Sequence, residues 1–319
     1  IPFFYKLRTF LVNTMKEEKP DALVCIDYPG FNMKLIEKAK EAGIPVIYYI
    51  LPTIWAWHKS RGNVIAEYTD LAVSLFPFEA EMYKKMGTNV VYGGHPLLDT
   101  VKPSMSKDEA YSFFGLQQGK KTVLFMPGSR VQEVQSLYGK MLAAGKLLQD
   151  KVEGLQFMVP KASTIDRHML EEAAREANLE VHIGEERVYD MMNIADAAIC
   201  ASGTATLETA LMGVPTLLVY RVNALTYWLS KILVHLDSIG LPNIISGHRI
   251  MPELWQDEVT PENIEAAVLP WLVDAAAAEE ARHLMAGVRC QMGEAGAVRR
   301  TAEIISEFVK EKQLHEAVQ

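Results

Sequence analysis

Short β-rich runs and helical stretches alternate along this chain, in two successive series. Strands that recur with a helix between them pair in parallel, and a parallel sheet needs helices over both of its faces. The first series opens with DALVCID, closed by Tyr28-Pro29-Gly30, and continues with a helical stretch from Asn32 to Ala42 that ends at Gly43. It proceeds through the strand IPVIYYI, a helix near Arg61 to Tyr68, the strand DLAVSLF, a helix FEAEMYKKM stopped by Gly87, and the strand NVVYGG. The polar, Pro-containing stretch VKPSMSKDEA then interrupts the pattern, which restarts at KTVLFMPGSR and runs on through LQFMVP, EVHIG and DAAICAS to a helix over 204–212. The expectation is an α/β protein of two doubly wound, Rossmann-like domains, 1–105 and 106–296, facing each other across a cleft. The sequence turns helical and Ala-rich after Pro261, and a terminal helix over 297–319 is expected to cross back onto the first domain.

Composition narrows the function classes. The chain has 319 residues, 49% of them apolar, and a formal net charge of −8, which argues against general nucleic-acid binding. Residues 251–319 carry 13 acidic against 6 basic side chains, so the rest is nearly balanced and leaves room for a local basic surface facing anionic lipid. Cys25, Cys200 and Cys290 are far apart and without CxxC spacing, which speaks against a disulfide framework or a zinc site. No run of about 18 uncharged apolar residues is present to span a bilayer, and the opening carries Lys6, Arg8, Lys16 and Lys19 instead of a signal-peptide layout. A cytoplasmic or peripheral protein is expected. The chain starts without Met inside an amphipathic pattern (Phe3, Phe4, Leu7, Phe10, Leu11, Met15), so an N-terminal piece is expected to be missing.

Two turns in the second series carry the chemistry. MPGSR follows the strand 122–126, and SGTATLE, 202–208, follows DAAICA. Each sets small residues at a strand-to-helix turn, where backbone N–H groups and the positive end of a helix hold phosphate oxygens. Gly128, Ser129 and Arg130 form the first, with Arg130 adding a permanent cation of bidentate geometry. Ser202, Gly203 and Thr204 form the second. Pro-Gly-Ser turns are common, and the plain alternative is a structural turn. Glu208 stands six residues after Ser202 in the helix that this turn opens; it either accepts hydrogen bonds from the vicinal hydroxyls of a ribose or is a solvated helix residue.

PGSR, ASGTATLE, GVPTLLVYRV, LTYWLSKILV, LPNIISG and PELWQD, together with PDALVCIDYPGFN, YYILPTIWAWHKSR, LFPFE and VYGGHPLLD, stand in the order and spacing of the lipid-A-disaccharide synthases. On these motifs the chain resembles that family, number 19 of the glycosyltransferases, with the GT-B fold. The resemblance covers essentially the whole chain. It implies an inverting transfer in lipid A and lipopolysaccharide biosynthesis of Gram-negative bacteria. UDP-2,3-diacylglucosamine is condensed with 2,3-diacylglucosamine 1-phosphate (lipid X) to the disaccharide 1-phosphate and UDP, at the inner-membrane surface. It also implies that Arg130, Ser202, Gly203, Thr204 and Glu208 shape the UDP site, that Asn243 and Gln256 line the donor pocket, and that Arg221 lies nearby. No cofactor and no metal are expected: the departing diphosphate is left to Arg130, helix dipoles and backbone N–H groups.

An inverting transfer needs one general base to take the proton of the attacking hydroxyl. Asp27, at the end of the strand VCID, matches the base proposed for the family; its structural alternative is a cap of the next turn through Asn32. Some relatives carry a second Asp where this chain has Gly30, which leaves no second carboxylate there. The family's N-terminal Gly-rich strand and turn are not found either. His95, in GGHP, either binds sugar hydroxyls or hydrogen-bonds its loop, whereas His58, His182 and His283 have no expected catalytic role. Trp55 and Trp57, beside His58, Lys59 and Arg61, suit a membrane interface or acyl groove, or else a loop folded into the core. The apolar spacing of 225–236 (Leu225, Trp228, Leu229, Ile232, Leu233, Leu236) reads as core or as the interface of a homodimer, and only then as lipid contact. Two alternatives remain: a GT-B enzyme on soluble nucleotide sugars, such as a UDP-GlcNAc 2-epimerase, and a UDP-sugar-binding protein without catalysis.

Overall fold

A computed structural model describes residues 2–54, 60–222 and 238–318. Trp55, Trp57, His58, Lys59 and the apolar stretch 225–236 lie outside the described residues. The chain divides into two compact units, one of residues 1–99 with 292–319, the other of residues 100–291.

In the first unit β1 (Leu23–Ile26), β2 (Val46–Tyr49), β3 (Leu71–Ser74) and β4 (Val90–Tyr92) form a parallel sheet in that order. Side chains alternate across it, as the pleat requires. Cys25, Val46, Tyr48 and Ala72 pack with Leu35, Ile36, Ile65 and Tyr83 from the helices Pro29–Glu41, Ser60–Tyr68 and Pro77–Lys85. Ile47, Leu71 and Val73 point the other way, against Ile304, Ile305, Phe308 and Val309 of the last helix, Ala297–Val318. That helix therefore covers the second face of this sheet. Its N-terminus is held by the Asp99 carboxylate, which accepts the amides of Val298 at 3.0 Å and Ala297 at 3.3 Å as well as that of Gly296. The helix Pro2–Glu18 packs against Pro29–Glu41 and buries Met15, leaving Phe3, Phe4, Tyr5 and Phe10 exposed.

The second unit holds a six-stranded parallel sheet in the order β10-β9-β8-β5-β6-β7. Its strands are β5 (Thr122–Met126), β6 (Gln156–Pro160), β7 (His182–Gly184), β8 (Ala197–Ala201), β9 (Thr216–Tyr220) and β10 (Glu253–Trp255). Val123 and Phe125 of β5 pack under the helices Val131–Gln149 and Pro261–Val273, through Leu137, Met141, Val268 and Trp271. Leu124 and Met126 pack on the opposite face with Phe114, Met191 and Met192. Runs buried on both faces are almost wholly apolar: β8 throughout, and β5 after Thr122. The connecting stretch joins this unit: Ser104 and Met105 donate their amides to the buried Asp190. The Ala-rich C-terminal region is two helices, Pro261–Val273 and Ala275–Gln291, parted at Asp274. Among the described residues no helix is long and apolar enough to cross a membrane.

Candidate active site

Strand order decides where a ligand can sit in such a sheet. From β5 the chain moves outward through β6 and β7, then returns to lay β8 on the other side of β5, with Met126 beside Cys200. The loops leaving β5 and β8 consequently diverge, and open parallel sheets bind ligands in that crevice beyond the strand carboxyl ends. A cavity of about 510 Å³ occupies it, lined by Gly128, Ser129, Arg130 and Glu133 on one side and by Ser202, Gly203, Thr204 and Glu208 on another. The two sequence motifs thus share one wall-to-wall site.

The turns differ electrostatically. Gly203 caps the helix Thr204–Leu211 at φ 156°, ψ −167°, a region open to glycine, and no side chain caps that end. The start of this helix lies on the cavity wall and carries its positive dipole end there, with the Thr206 amide already taken by the Gly203 carbonyl at 3.2 Å. The PGSR turn is already capped. Oε2 of Glu133 accepts the amides of Ser129 at 3.1 Å and Arg130 at 3.3 Å, while its Oε1 lies 2.6 Å from the Arg130 guanidinium. The expectation that both turns present open amides is corrected here, because a glutamate three residues into the helix takes those of Ser129 and Arg130. Gly128 sits at φ 112°, and a Cβ there would stand 2.3 Å from Glu133 Oε2, so only glycine fits beneath that carboxylate. Arg130 itself extends into solvent, its side chain 80% exposed.

Glu208 is half-buried and in the cavity wall, with Oε1 accepting the Tyr189 hydroxyl at 3.0 Å. Burial raises its carboxyl above the usual range, and the tyrosine bond partly offsets this. The remaining wall brings residues that the motifs do not contain: Lys161 after β6, and Glu185, Glu186, Arg187 and Val188 after β7. Arg187 donates to the Ser104 hydroxyl at 2.9 Å and lies over the Phe113 ring.

In the other unit Asp27 ends β1 in the left-handed region, at φ 50°, and Tyr28 follows at φ 45°. Two consecutive non-glycine residues there cost roughly 1–2 kcal/mol each. The conformation is held by the Asp27 carbonyl, which accepts both Asn32 Nδ2 and the Tyr48 hydroxyl at 2.8 Å. Asn32 therefore binds the backbone of Asp27, not its carboxylate, and the helix Pro29–Glu41 has no side-chain cap. The capping alternative for the Asp27 side chain falls away; its residue is exposed. His95 is 8% exposed, packs at a tilt against the Phe76 ring and accepts the Leu97 amide through Nδ1 at 3.1 Å. Burial pushes its pKa down to about 4, so the ring is a neutral loop clamp.

A family model described as lipid-A-disaccharide synthetase matches residues 1–308. The chain belongs to that family. A lipid-A-disaccharide synthase of Geobacter metallireducens is 42% identical over 309 residues, 97% of this chain and 80% of that protein. Solved structures resemble it at lower identity: UDP-GlcNAc 2-epimerase of Neisseria meningitidis bound to UDP-GlcNAc (13% identical, TM-score 0.63, 95% of this chain and 81% of that one) and MurG of Acinetobacter baumannii (16%, TM-score 0.58, 96% and 79%). Those likenesses speak to the fold, α/β of the GT-B type. Family membership speaks to the role, lipid A disaccharide synthesis by a glycosyltransferase, and does not favour the epimerase alternative.

Three residues that the resemblance placed near the donor pocket are not on the cavity wall of this synthase-family chain. Asn243 is 2% exposed and fully engaged: its amide donates to Met251 O and Glu253 Oε1, and its carbonyl accepts the Ile250 and Met251 amides. Gln256 is buried at φ 53° and clips Val222 by both its N–H and C=O. Arg221 follows β9 and is exposed. Asn243 and Gln256 shape loops, because a buried amide with all its groups bonded has none to offer a ligand. Conversely, Glu133, Lys161, Arg187 and Tyr189 escaped the sequence reading; only the Glu three positions after PGSR carried a local signal, that of a capping box.

Proposed function

We propose that this family member transfers the 2,3-diacylglucosaminyl group of its UDP conjugate onto 2,3-diacylglucosamine 1-phosphate, with inversion and release of UDP. The observation that carries the reading is the convergence of the PGSR and SGT turns, Arg130 and Glu208 on one cavity at the β5–β8 switch point. The open helix end at Gly203–Thr204 and the Arg130 guanidinium receive the diphosphate and stabilise the charge that develops as it leaves. Glu208 accepts the ribose hydroxyls. Asp27 takes the proton of the acceptor hydroxyl as that oxygen attacks the anomeric carbon. The bond to UDP breaks in the same displacement, so no covalent enzyme intermediate forms.

The substrates carry acyl chains, and the enzyme works at a membrane surface. Support comes from the helix Pro2–Glu18, which exposes Phe3, Phe4, Tyr5 and Phe10 beside Lys6 and Arg8, a pairing suited to an anionic interface. The test is incubation of the protein with both acylated sugars in detergent. A β-linked disaccharide 1-phosphate with stoichiometric UDP is expected. A UDP-sugar epimer in its place, or UDP binding without turnover of the matched pair, would discard the proposal.

A further inference from the structure

Tyr189 lies outside the cavity wall, yet its hydroxyl sits 3.0 Å from Oε1 of Glu208, which is on that wall. The two residues come from different helices, Val188–Ile194 after β7 and Thr204–Leu211 after β8. The Tyr189 ring packs in the apolar layer with Met191, Cys200 and Ala205, which fixes where its hydroxyl can reach. The hydroxyl is the donor of the bond to Glu208, and Thr100 is a further hydrogen-bonding partner of Tyr189. A phenol has a single proton, and here it is given to Glu208. One carboxylate oxygen is thereby tied off, and the other remains as a fixed acceptor in the cavity.

We propose that Tyr189 is a positioning residue that aims Glu208 at the ribose hydroxyls and makes the site selective for a ribonucleoside diphosphate over its 2′-deoxy counterpart. This rests on the reading of the cavity as a UDP site. A carboxylate used only as an acceptor must stay ionised and in one rotamer; the tyrosine bond holds the rotamer and counters part of the rise that burial imposes on the carboxyl. The titratable groups that interact with Glu208 are Tyr189 from the helix Val188–Ile194 and Cys200 from β8; Arg130, Lys161, Arg187, Glu133, Glu185 and Glu186 stand around the cavity. Of these, Tyr189 is the one bonded to it. Removing that hydroxyl frees the side chain to rotate and lets burial raise its carboxyl further, so protonation competes with ribose binding as pH falls.

The test is calorimetric titration of UDP and 2′-deoxy-UDP into the wild type and Tyr189→Phe, Thr100→Val, Glu208→Gln and Arg130→Ala variants at pH 6, 7 and 8.5. In the wild type UDP binds more tightly than its deoxy analogue. Tyr189→Phe is expected to weaken UDP by about fivefold at pH 8.5, the scale of one ordinary hydrogen bond, and by a larger factor at pH 6, while bringing the UDP to deoxy-UDP ratio toward one. Thr100→Val, which leaves the ring in place, moves both readouts the same way by less. Dividing each variant by the wild type at the same pH removes the titration of UDP itself. A Tyr189→Phe protein with wild-type selectivity and a pH profile parallel to the wild type overturns the proposal, provided Glu208→Gln and Arg130→Ala still lose affinity. Should those two bind UDP unchanged as well, the UDP reading of the cavity fails, and this inference with it.

Discussion

Glu133 holds the Arg130 guanidinium at 2.6 Å with one oxygen and the Arg130 amide at 3.3 Å with the other, so an internal anion already sits on the PGSR turn. Arg130 is thereby kept extended over the cavity mouth although its side chain is mostly exposed. An exposed pair of this kind contributes at most about 1 kcal/mol to folding. Arg130→Ala should leave the melting temperature nearly unchanged and weaken UDP by roughly 1.5–3 kcal/mol, the scale of a charged hydrogen bond. Arg130→Lys should recover only part of this, since an ammonium lacks the planar fork. Titration calorimetry and thermal melts of both variants decide it; an alanine variant with wild-type affinity removes Arg130 from the site.

Asp27 tests the other half of the proposed chemistry. Its left-handed backbone is fixed by Asn32 and Tyr48 through the carbonyl, so the carboxylate can be altered without touching that frame. Asp27→Asn should reduce the transfer rate by about 100-fold or more, the usual contribution of a general base, with UDP affinity within about twofold of wild type. Full turnover in the variant would leave the reaction without its base.

Glu79 predicts a pH dependence of stability. It is 2% exposed, hydrogen-bonded by Ser74 at 2.9 Å, and burial pushes its pKa up to about 7. A carboxyl raised in the folded state binds its proton more tightly there. Its stabilising contribution is complete below the unfolded value and declines as pH rises toward 7, by up to about 3 kcal/mol. Glu79→Gln should flatten that decline, gaining on the wild type at pH 8 and not at pH 4. Urea denaturation across this range should give converging curves at low pH; parallel curves refute the assignment.

Asp99 carries the opposite sign. The amides of Val298, Gly296 and Ala297 hold its carboxyl below the usual range, most of all that of Val298. Its contribution is therefore present above the unfolded carboxyl pKa and is lost as pH falls through the folded one. Asp99→Ala should destabilise the helix Ala297–Val318 by about 1 kcal/mol, as loss of a capping acceptor does. Amide exchange in 297–305 should quicken at pH 7, and the wild type should approach the variant only in strong acid.

How much of this was legible in the sequence follows from the range of the interactions. Strands β1 to β8 announce themselves as short apolar runs punctuated by Gly and Pro, and the PGSR and SGT turns stand out because small residues there have a local backbone reason. β9 and β10 were seen only as family motifs, since TLLVY and the three-residue ELW carry little periodicity of their own. Asn243 shows the limit most clearly: the family resemblance placed it at the donor pocket, whereas its buried side chain, in the helix Leu241–Ser246, is bonded to Ile250, Met251 and Glu253.

The sequence by itself determined the α/β class, the alternation that makes both sheets parallel, and the two glycine turns, because each depends on residues within a turn or two of one another. Tertiary structure alone decided that β8 lies against β5, which puts those turns on one cavity. It likewise decided that Tyr189 meets Glu208, and that Ile304 and Phe308 cover the sheet of the first unit. Such contacts join segments far apart along the chain and are selected by the burial of whole faces, a quantity that exists only after the elements have packed.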